Sequence, residues 1–201
     1  NKRLRRFSWK VIYRVAAVVL LLLLPLATYW QGKEVVKHNF ADMVVEAPLG
    51  ARTKLYLPDG TLVWLNAGSK IVYSQGFGVD DRNLSLEGEG YFEVARDSAK
   101  PFIVEAKEVD VRVLGTSFNV NTYVSERAIR TTLVSGKVRV GDRLTGKGEV
   151  ILPGQQVVWK DGVFATKEVD TSIYTAWIDG KFYFEGATLE EITAQLERWY
   201  D

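Results

Sequence analysis

Val15 to Trp30 (VAAVVLLLLLPLATYW) carries no charge, and no comparable run occurs elsewhere in the 201 residues. Such a stretch belongs in a lipid bilayer or in a segment removed on export, so it decides where the rest of the chain can fold. The fourteen residues before it hold six basic side chains (Lys2, Arg3, Arg5, Arg6, Lys10, Arg14) and no acid. Of the 26 Lys/Arg, 20 therefore remain to face all 25 Asp/Glu after the run. The formal total of +1 hides a balance of +6 on one side and −5 on the other. A basic cluster beside an apolar run predicts a membrane anchor with its basic side in the cytoplasm, and everything after Gln31 on the far side.

Sixteen helical residues rise roughly 24 Å, short of the roughly 30 Å hydrocarbon core. Starting at Val11, with Arg14 snorkelling to the headgroups, extends the rise to about 30 Å. Tyr13, Tyr29 and Trp30 supply interfacial aromatics, and a proline such as Pro25 is tolerated in a spanning helix. The rival is a cleaved signal peptide. Leu26-Ala27-Thr28-Tyr29-Trp30 offers no pair of small residues for cleavage, which favours the uncleaved anchor; either reading exports the remainder.

The 171 residues from Gln31 onward suffice for one domain with a sizeable core, or one domain and part of another. No cysteine is present, which excludes disulfides, thiol catalysis and Cys-based zinc sites. Residues 31–46 are polar and mixed and read as a juxtamembrane linker.

From Ala51 to Lys167 hydrophobic residues alternate with period two between Gly and Asp-Gly turns. Leu55, Leu57 and Leu62, Trp64 flank the hairpin turn Pro58-Asp59-Gly60-Thr61, and Asp161-Gly162 marks another. Val109, Val111 and Val113 alternate in one phase and Phe118 and Val120 in the other, so Gly115-Thr116-Ser117 must bend or bulge. Short strands are expected near 52–57, 62–66, 70–74, 82–87, 90–95, 102–106, 109–114, 117–123, 129–135, 137–140, 149–152, 155–160 and 163–167. This is a mainly β fold, a sandwich, jelly roll or squat β-solenoid. After Thr171 the pattern changes. Lys181-Phe-Tyr-Phe-Glu185 reads as a further strand. A helix follows, with Thr188 as N-cap, Glu191 completing a capping box, and Leu189, Ile192, Leu196 and Trp199 forming one apolar stripe. That βα unit opens an α+β domain whose stripe lacks a partner. It implies, as Asn1 does at the other end, a piece of a longer protein.

Catalytic constellations are missing from the residues. His38 is the only histidine and lies in the linker, so a histidine-bearing triad has no carrier. Glu87, Glu89 and Glu93 invite a carboxylate-pair reading, but Glu89, Tyr91 and Glu93 share one face of a strand, which reads as a solvated or salt-bridged face. Gly88 and Gly90 precede a strand where a phosphate loop needs a helix, and Asp80-Asp81 lacks the spacing of a calcium loop. A far-side domain of net −5 does not suit nucleic acid. Trp64, Trp159, Trp177 and Trp199 are core or edge-covering residues, or else line a sugar site. The residues predict a non-enzymatic module without cofactor or metal.

Seven segments, in order, resemble the FecR-type anti-sigma regulators in the branch common in Bacteroidetes. They are Leu57-Pro-Asp-Gly-Thr-Leu-Val-Trp-Leu-Asn66, Ser69 to Tyr73, Arg82-Asn-Leu-Ser-Leu-Glu-Gly-Glu-Gly-Tyr-Phe-Glu-Val94, Lys100-Pro-Phe-Ile-Val104, Val113-Leu-Gly-Thr-Ser-Phe-Asn-Val120, Leu133-Val-Ser-Gly-Lys-Val138 and Leu152-Pro-Gly-Gln155. Trp177 to Trp199 is similar to the start of the small secretin/TonB short N-terminal-like domain these regulators carry. The organisation implied is a basic cytoplasmic tail (1–14), a transmembrane helix (15–30), a linker (31–46), a FecR-like all-β periplasmic domain of jelly-roll or β-solenoid type (47–170), and the start of an α+β domain (171–201).

The resemblance implies a single-pass inner-membrane relay. A cytoplasmic segment, which would precede Asn1, holds an extracytoplasmic-function (ECF) sigma factor. The periplasmic part meets the signalling domain of a TonB-dependent outer-membrane receptor for an iron chelate or a glycan, and uptake genes respond. The expected receptor contact comprises Phe182, Tyr183, Phe184, Leu189, Ile192, Leu196 and Trp199, by strand addition or helix docking. The alternatives are an anchored carbohydrate-binding β-domain or an envelope scaffold.

Overall fold

The computed structural model describes Trp9, residues 13–14, 16–25, Thr28, 41–123, 128–184 and 186–200. Two units are present, Asn1–Ala41 and Asp42–Asp201. In the first, residues 16–25 are helical and exposed, and the Thr28 hydroxyl donates back to the Leu24 and Pro25 carbonyls at 3.1 and 3.0 Å. Among the described residues no helix is long and apolar enough to cross a membrane. Val15, Leu26, Ala27, Tyr29, Trp30 and the stretch 31–40 with His38 lie outside the described residues.

The second unit contains, among the described residues, fourteen strands: β1 Asp42–Glu46, β2 Thr53–Tyr56, β3 Leu62–Leu65, β4 Lys70–Ser74, β5 Asn83–Glu87, β6 Glu89–Glu93, β7 Phe102–Ala106, β8 Val109–Val113, β9 Ser117–Asn121, β10 Ile129–Ser135, β11 Val138–Asp142, β12 Gly148–Ile151, β13 Gln155–Lys160 and β14 Val163–Glu168. They form two seven-stranded sheets, ordered β1-β4-β5-β7-β8-β11-β12 and β14-β13-β10-β9-β6-β3-β2. Alternate residues of both sheets feed one core, where Phe92, Phe102, Phe118, Val63, Val104, Val111 and Leu133 are fully buried.

Within each sheet the strand order follows the chain order. A Greek key or jelly roll would send a late strand back beside an early one; here the chain winds steadily along one core, as a solenoid does. Most visits to a sheet lay down an antiparallel hairpin. The visit that contributes β6 alone returns the chain to the first sheet with its direction unreversed, so β5 and β7 pair in parallel. The other pairings are antiparallel.

The expected turns form as local chemistry dictates. Asp161 and Gly162, at φ 50° and 81°, join β13 to β14 with Lys160 opposite Val163; a two-residue loop with both φ positive matches the strand twist. The phase change at 115–117 is a crossing between sheets: β8 lies in one and β9 in the other. Gly88, between β5 and β6, makes a similar crossing at φ 90°, and a Cβ there would stand 2.8 Å from Ser69 Cα. Only glycine fits.

Two sequence expectations are corrected. Asp42–Glu46, read as the end of the linker, is strand β1, paired to β4 from Asp42↔Ser74 to Glu46↔Lys70. It is an edge strand with most of its residues exposed, so its sequence lacks a buried alternation. Lys181–Phe184 is not a strand. Phe182 and Phe184 project to one side, their rings 6.0 Å apart and near-parallel, but no described strand pairs with them.

One core position is suboptimal. Thr131, paired with Val120 and Val157, is 1 % exposed, and its hydroxyl has no hydrogen-bond partner among the described residues. An isosteric methyl removes an uncompensated desolvation cost, so Thr131→Val is expected to stabilise the fold by about 1 kcal/mol in urea denaturation with an unchanged slope.

Candidate functional site

The outer face of the second sheet carries two polar rows set by strand register. Tyr91, Asn119, Thr132, Gln156 and Lys167 stand side by side on β6, β9, β10, β13 and β14. Glu89, Asn121, Arg130 and Val158 form the row beside them. Alternation reads the Glu89, Tyr91 and Glu93 part of this face as solvated or salt-bridged. The structure corrects that: Glu89, Asn119, Thr132 and Gln156 are between 1 % and 6 % exposed, while Glu93 stays in solvent.

The cover comes from the end of the chain. Asp170 caps helix α1 (Thr171–Thr175) by accepting from Ser172 N at 2.9 Å, and a 3₁₀ turn, Ala176–Asp179, follows. The turn drives Trp177 against the sheet, 4 % exposed, where its Nε1 donates to Asn119 Oδ1 at 3.2 Å. Asn119 Nδ2 in turn donates to Glu89 Oε1 at 2.9 Å, and Asn66 Nδ2 to Glu89 Oε2 at 2.8 Å. Gln156 Nε2 donates to Thr132 Oγ1 at 2.8 Å. A buried carboxylate is tolerable only when its oxygens are met in this way. Replacing Glu89 by Gln sets one amide N–H₂ against another; the loss expected is about 1–3 kcal/mol in chemical denaturation, with far-UV CD unchanged.

Helix α2 (Leu189–Tyr200) begins as the sequence expects: Thr188 N donates to Glu191 Oε2 at 2.9 Å and Glu191 N to Thr188 Oγ1 at 3.2 Å. The Thr188 backbone N–H, then the Thr188 hydroxyl, and last the Arg130 charge on β10 hold the Glu191 carboxyl below its ordinary pKa. Burial, and then the Glu93 charge, raise the Tyr91 phenol.

Between the sheet and this helical segment lies a cleft of about 380 Å³. Asn121, Arg130 and Gln156 are in its floor, and Tyr174, Trp177, Tyr183 and Phe184 in its wall. Of the residues singled out in the sequence, Phe182 and Trp199 are brought together edge to face at 4.5 Å, and Phe184 stacks beyond Phe182. Ile192 and Leu196 are half-buried. Tyr183, Phe184 and Leu189 are 57 %, 39 % and 75 % exposed. Glu185 lies outside the described residues. Asn66 and Asn119 were not singled out as site residues; the one signal near them was Trp177, noted as an aromatic. Among the described residues no cluster of three or more His, Cys, Asp or Glu side chains could hold a metal ion.

No curated protein matches the chain. Two crystal structures of a candidate anti-sigma factor from Parabacteroides distasonis ATCC 8503 match it at 36 % identity. One covers 79 % of this chain and 74 % of its own with a TM-score of 0.73, the other 80 % and 75 % with 0.74. The family model described as FecR protein matches residues 43–139, from β1 into β11. With the family's segments laid along both sheets and a relative of this identity aligned over most of both chains, the chain belongs to the FecR protein family.

Proposed function

We propose that this chain is the membrane-anchored, periplasmic portion of an anti-sigma regulator. It relays the state of a TonB-dependent outer-membrane receptor to an ECF sigma factor and so controls uptake genes. The observation that carries the reading is the 36 % identity, over 79 % of this chain, to a candidate anti-sigma factor. Membership in a regulatory, non-enzymatic family supports it, as does the sequence layout of basic tail, apolar run and acidic remainder, which orients a single inner-membrane span with its N-terminus in the cytoplasm. Deleting the gene tests the reading. Transcripts of one sigma-dependent uptake locus should then cease to follow the nutrient; an unchanged response contradicts the proposal.

The receptor's signalling domain would dock on the end of the chain. Phe182 and Trp199 brace each other there and leave Tyr183, Phe184 and Leu189 outward, beside half-buried Ile192 and Leu196. Exposed aromatics on a braced platform are the usual anchors of an interface. Tyr183→Ala combined with Leu189→Ala is expected to weaken capture of that domain about tenfold or more, measured by biolayer interferometry, with the fold intact. A second reading, glycan binding, is favoured by the cleft, whose amides and Tyr174, Trp177 and Tyr183 suit a short saccharide; glycan pull-down tests it.

A further inference from the structure

The loop between β1 and β2 touches the end of the chain at several points. Gly50 N donates to the Arg198 carbonyl of α2 at 2.8 Å. Arg52 Nη1 donates to the Trp177 and Ile178 carbonyls, both at 2.7 Å, and the Arg52 guanidinium lies 5.0 Å from the centre of the Trp199 ring. One loop thus holds both the 3₁₀ turn and the last turn of α2.

A second route converges on the same strand. The Arg198 guanidinium stacks 3.8 Å from the centre of the Tyr123 ring. The Tyr123 hydroxyl donates to the Ala67 carbonyl at 2.6 Å and lies 3.0 Å from Ser69 Oγ. The next links are backbone: Ala47 N donates to the Ser69 carbonyl at 2.8 Å, and Gly68 N to the Ala47 carbonyl at 3.0 Å. Ala47 directly follows β1. Of all the strands, β1 is well suited to respond. It sits at a sheet edge with β4 as its neighbour, and its burial is slight. Elements with few buried contacts open at the lowest free energy.

We propose that the helical segment 171–200 and the edge strand β1 form one coupled unit, in which Arg52 and the Arg198–Tyr123 stack transmit displacement of the helix to the first strand after the apolar run. A partner that lifts α2 breaks the Gly50–Arg198 hydrogen bond and withdraws the Trp199 ring from Arg52 and the Arg198 guanidinium from Tyr123, and β1 then loosens from β4. Two elements biased by shared contacts constitute a coupling that an equilibrium measurement can detect. Its biological direction, from partner toward membrane, rests on the regulatory reading above; the physical coupling does not.

Hydrogen exchange read by mass spectrometry, on the full chain in detergent micelles, tests it without sigma factor or receptor. Arg52→Ala is expected to speed exchange about tenfold both in 189–200 and in 42–47, with 117–121 and 129–133 unchanged. Faster exchange in 189–200 with 42–47 at the wild-type rate overturns the coupling, whatever becomes of the sigma-factor reading. If Arg52→Ala loosens 117–121 as well, Trp199→Ala, which removes the ring under the Arg52 guanidinium, is read by the same two peptides: faster exchange in both supports the coupling, and in 189–200 alone overturns it.

Discussion

Replacing Arg82 by Ala is expected to cost about 3–5 kcal/mol of folding free energy and to lower Tm by on the order of 10 °C. Arg82 is 2 % exposed. Its Nε and Nη2 both reach Asp59 Oδ2, at 2.8 and 2.7 Å, while Nη1 donates to the Lys100 carbonyl at 3.0 Å and Nη2 to the Ala95 carbonyl at 2.7 Å. Asp59 also accepts from Thr61 N at 2.9 Å and from its hydroxyl at 2.8 Å. One guanidinium therefore ties the β2–β3 turn to the chain ends around β5, β6 and β7. Removing it strands a carboxylate whose side chain is only 8 % exposed, and that desolvated charge is the source of the loss. The double variant Asp59→Ala/Arg82→Ala should lose clearly less than the sum of the two single variants, because it leaves no unpaired charge. A single-variant cost below about 1 kcal/mol in calorimetry, the range of an exposed pair, contradicts the assignment.

Phe118→Ala is expected to cost a similar amount, about 3–5 kcal/mol, through a different mechanism. The Phe118 ring is fully buried and stacks on Phe92 with centroids 5.2 Å apart at 20°. Phe92 meets Phe102 of the opposite sheet at 6.0 Å, and Phe102 meets Phe77 at 5.9 Å. A truncated ring leaves a cavity in the middle of this stack that the flanking strands, paired on both sides, cannot close. Phe118→Leu should recover part of the loss. In urea titrations both variants move the midpoint with the slope retained; a changed slope would mean that the native or unfolded ensemble itself had changed.

The two variants separate what alternation reveals from what it conceals. Phe118 and its neighbours were legible because each strand here has one buried face, and a period of two announces it. The winding order of the sheets was not legible, since alternation says which face is buried and nothing about which strand is adjacent. β1 was missed because an edge strand exposed over most of its length has no pattern to read. The helical run 171–179 was missed because Thr171, Ile173 and Thr175 are β-branched; what holds it is the Asp170 cap and the seat that Asn119 provides for Trp177. The candidate site suffered most. Glu89 read as solvated because it alternates with core residues on its strand, and its burial, with that of Asn119, Thr132 and Gln156, is decided by a segment further along the chain. The capping box at Thr188 and Glu191 was readable because both partners lie within one helical turn.

The regulator proposed for this FecR-family chain holds a sigma factor at the membrane. Tagging the native, full-length gene product at its chromosomal locus, solubilising the membranes in mild detergent and identifying what co-purifies puts this to the test. One ECF sigma factor is expected, recovered from the membrane fraction in amounts comparable to the bait before the nutrient is supplied and released after it. Recovery of the bait from membranes without any sigma factor, in either condition, contradicts it.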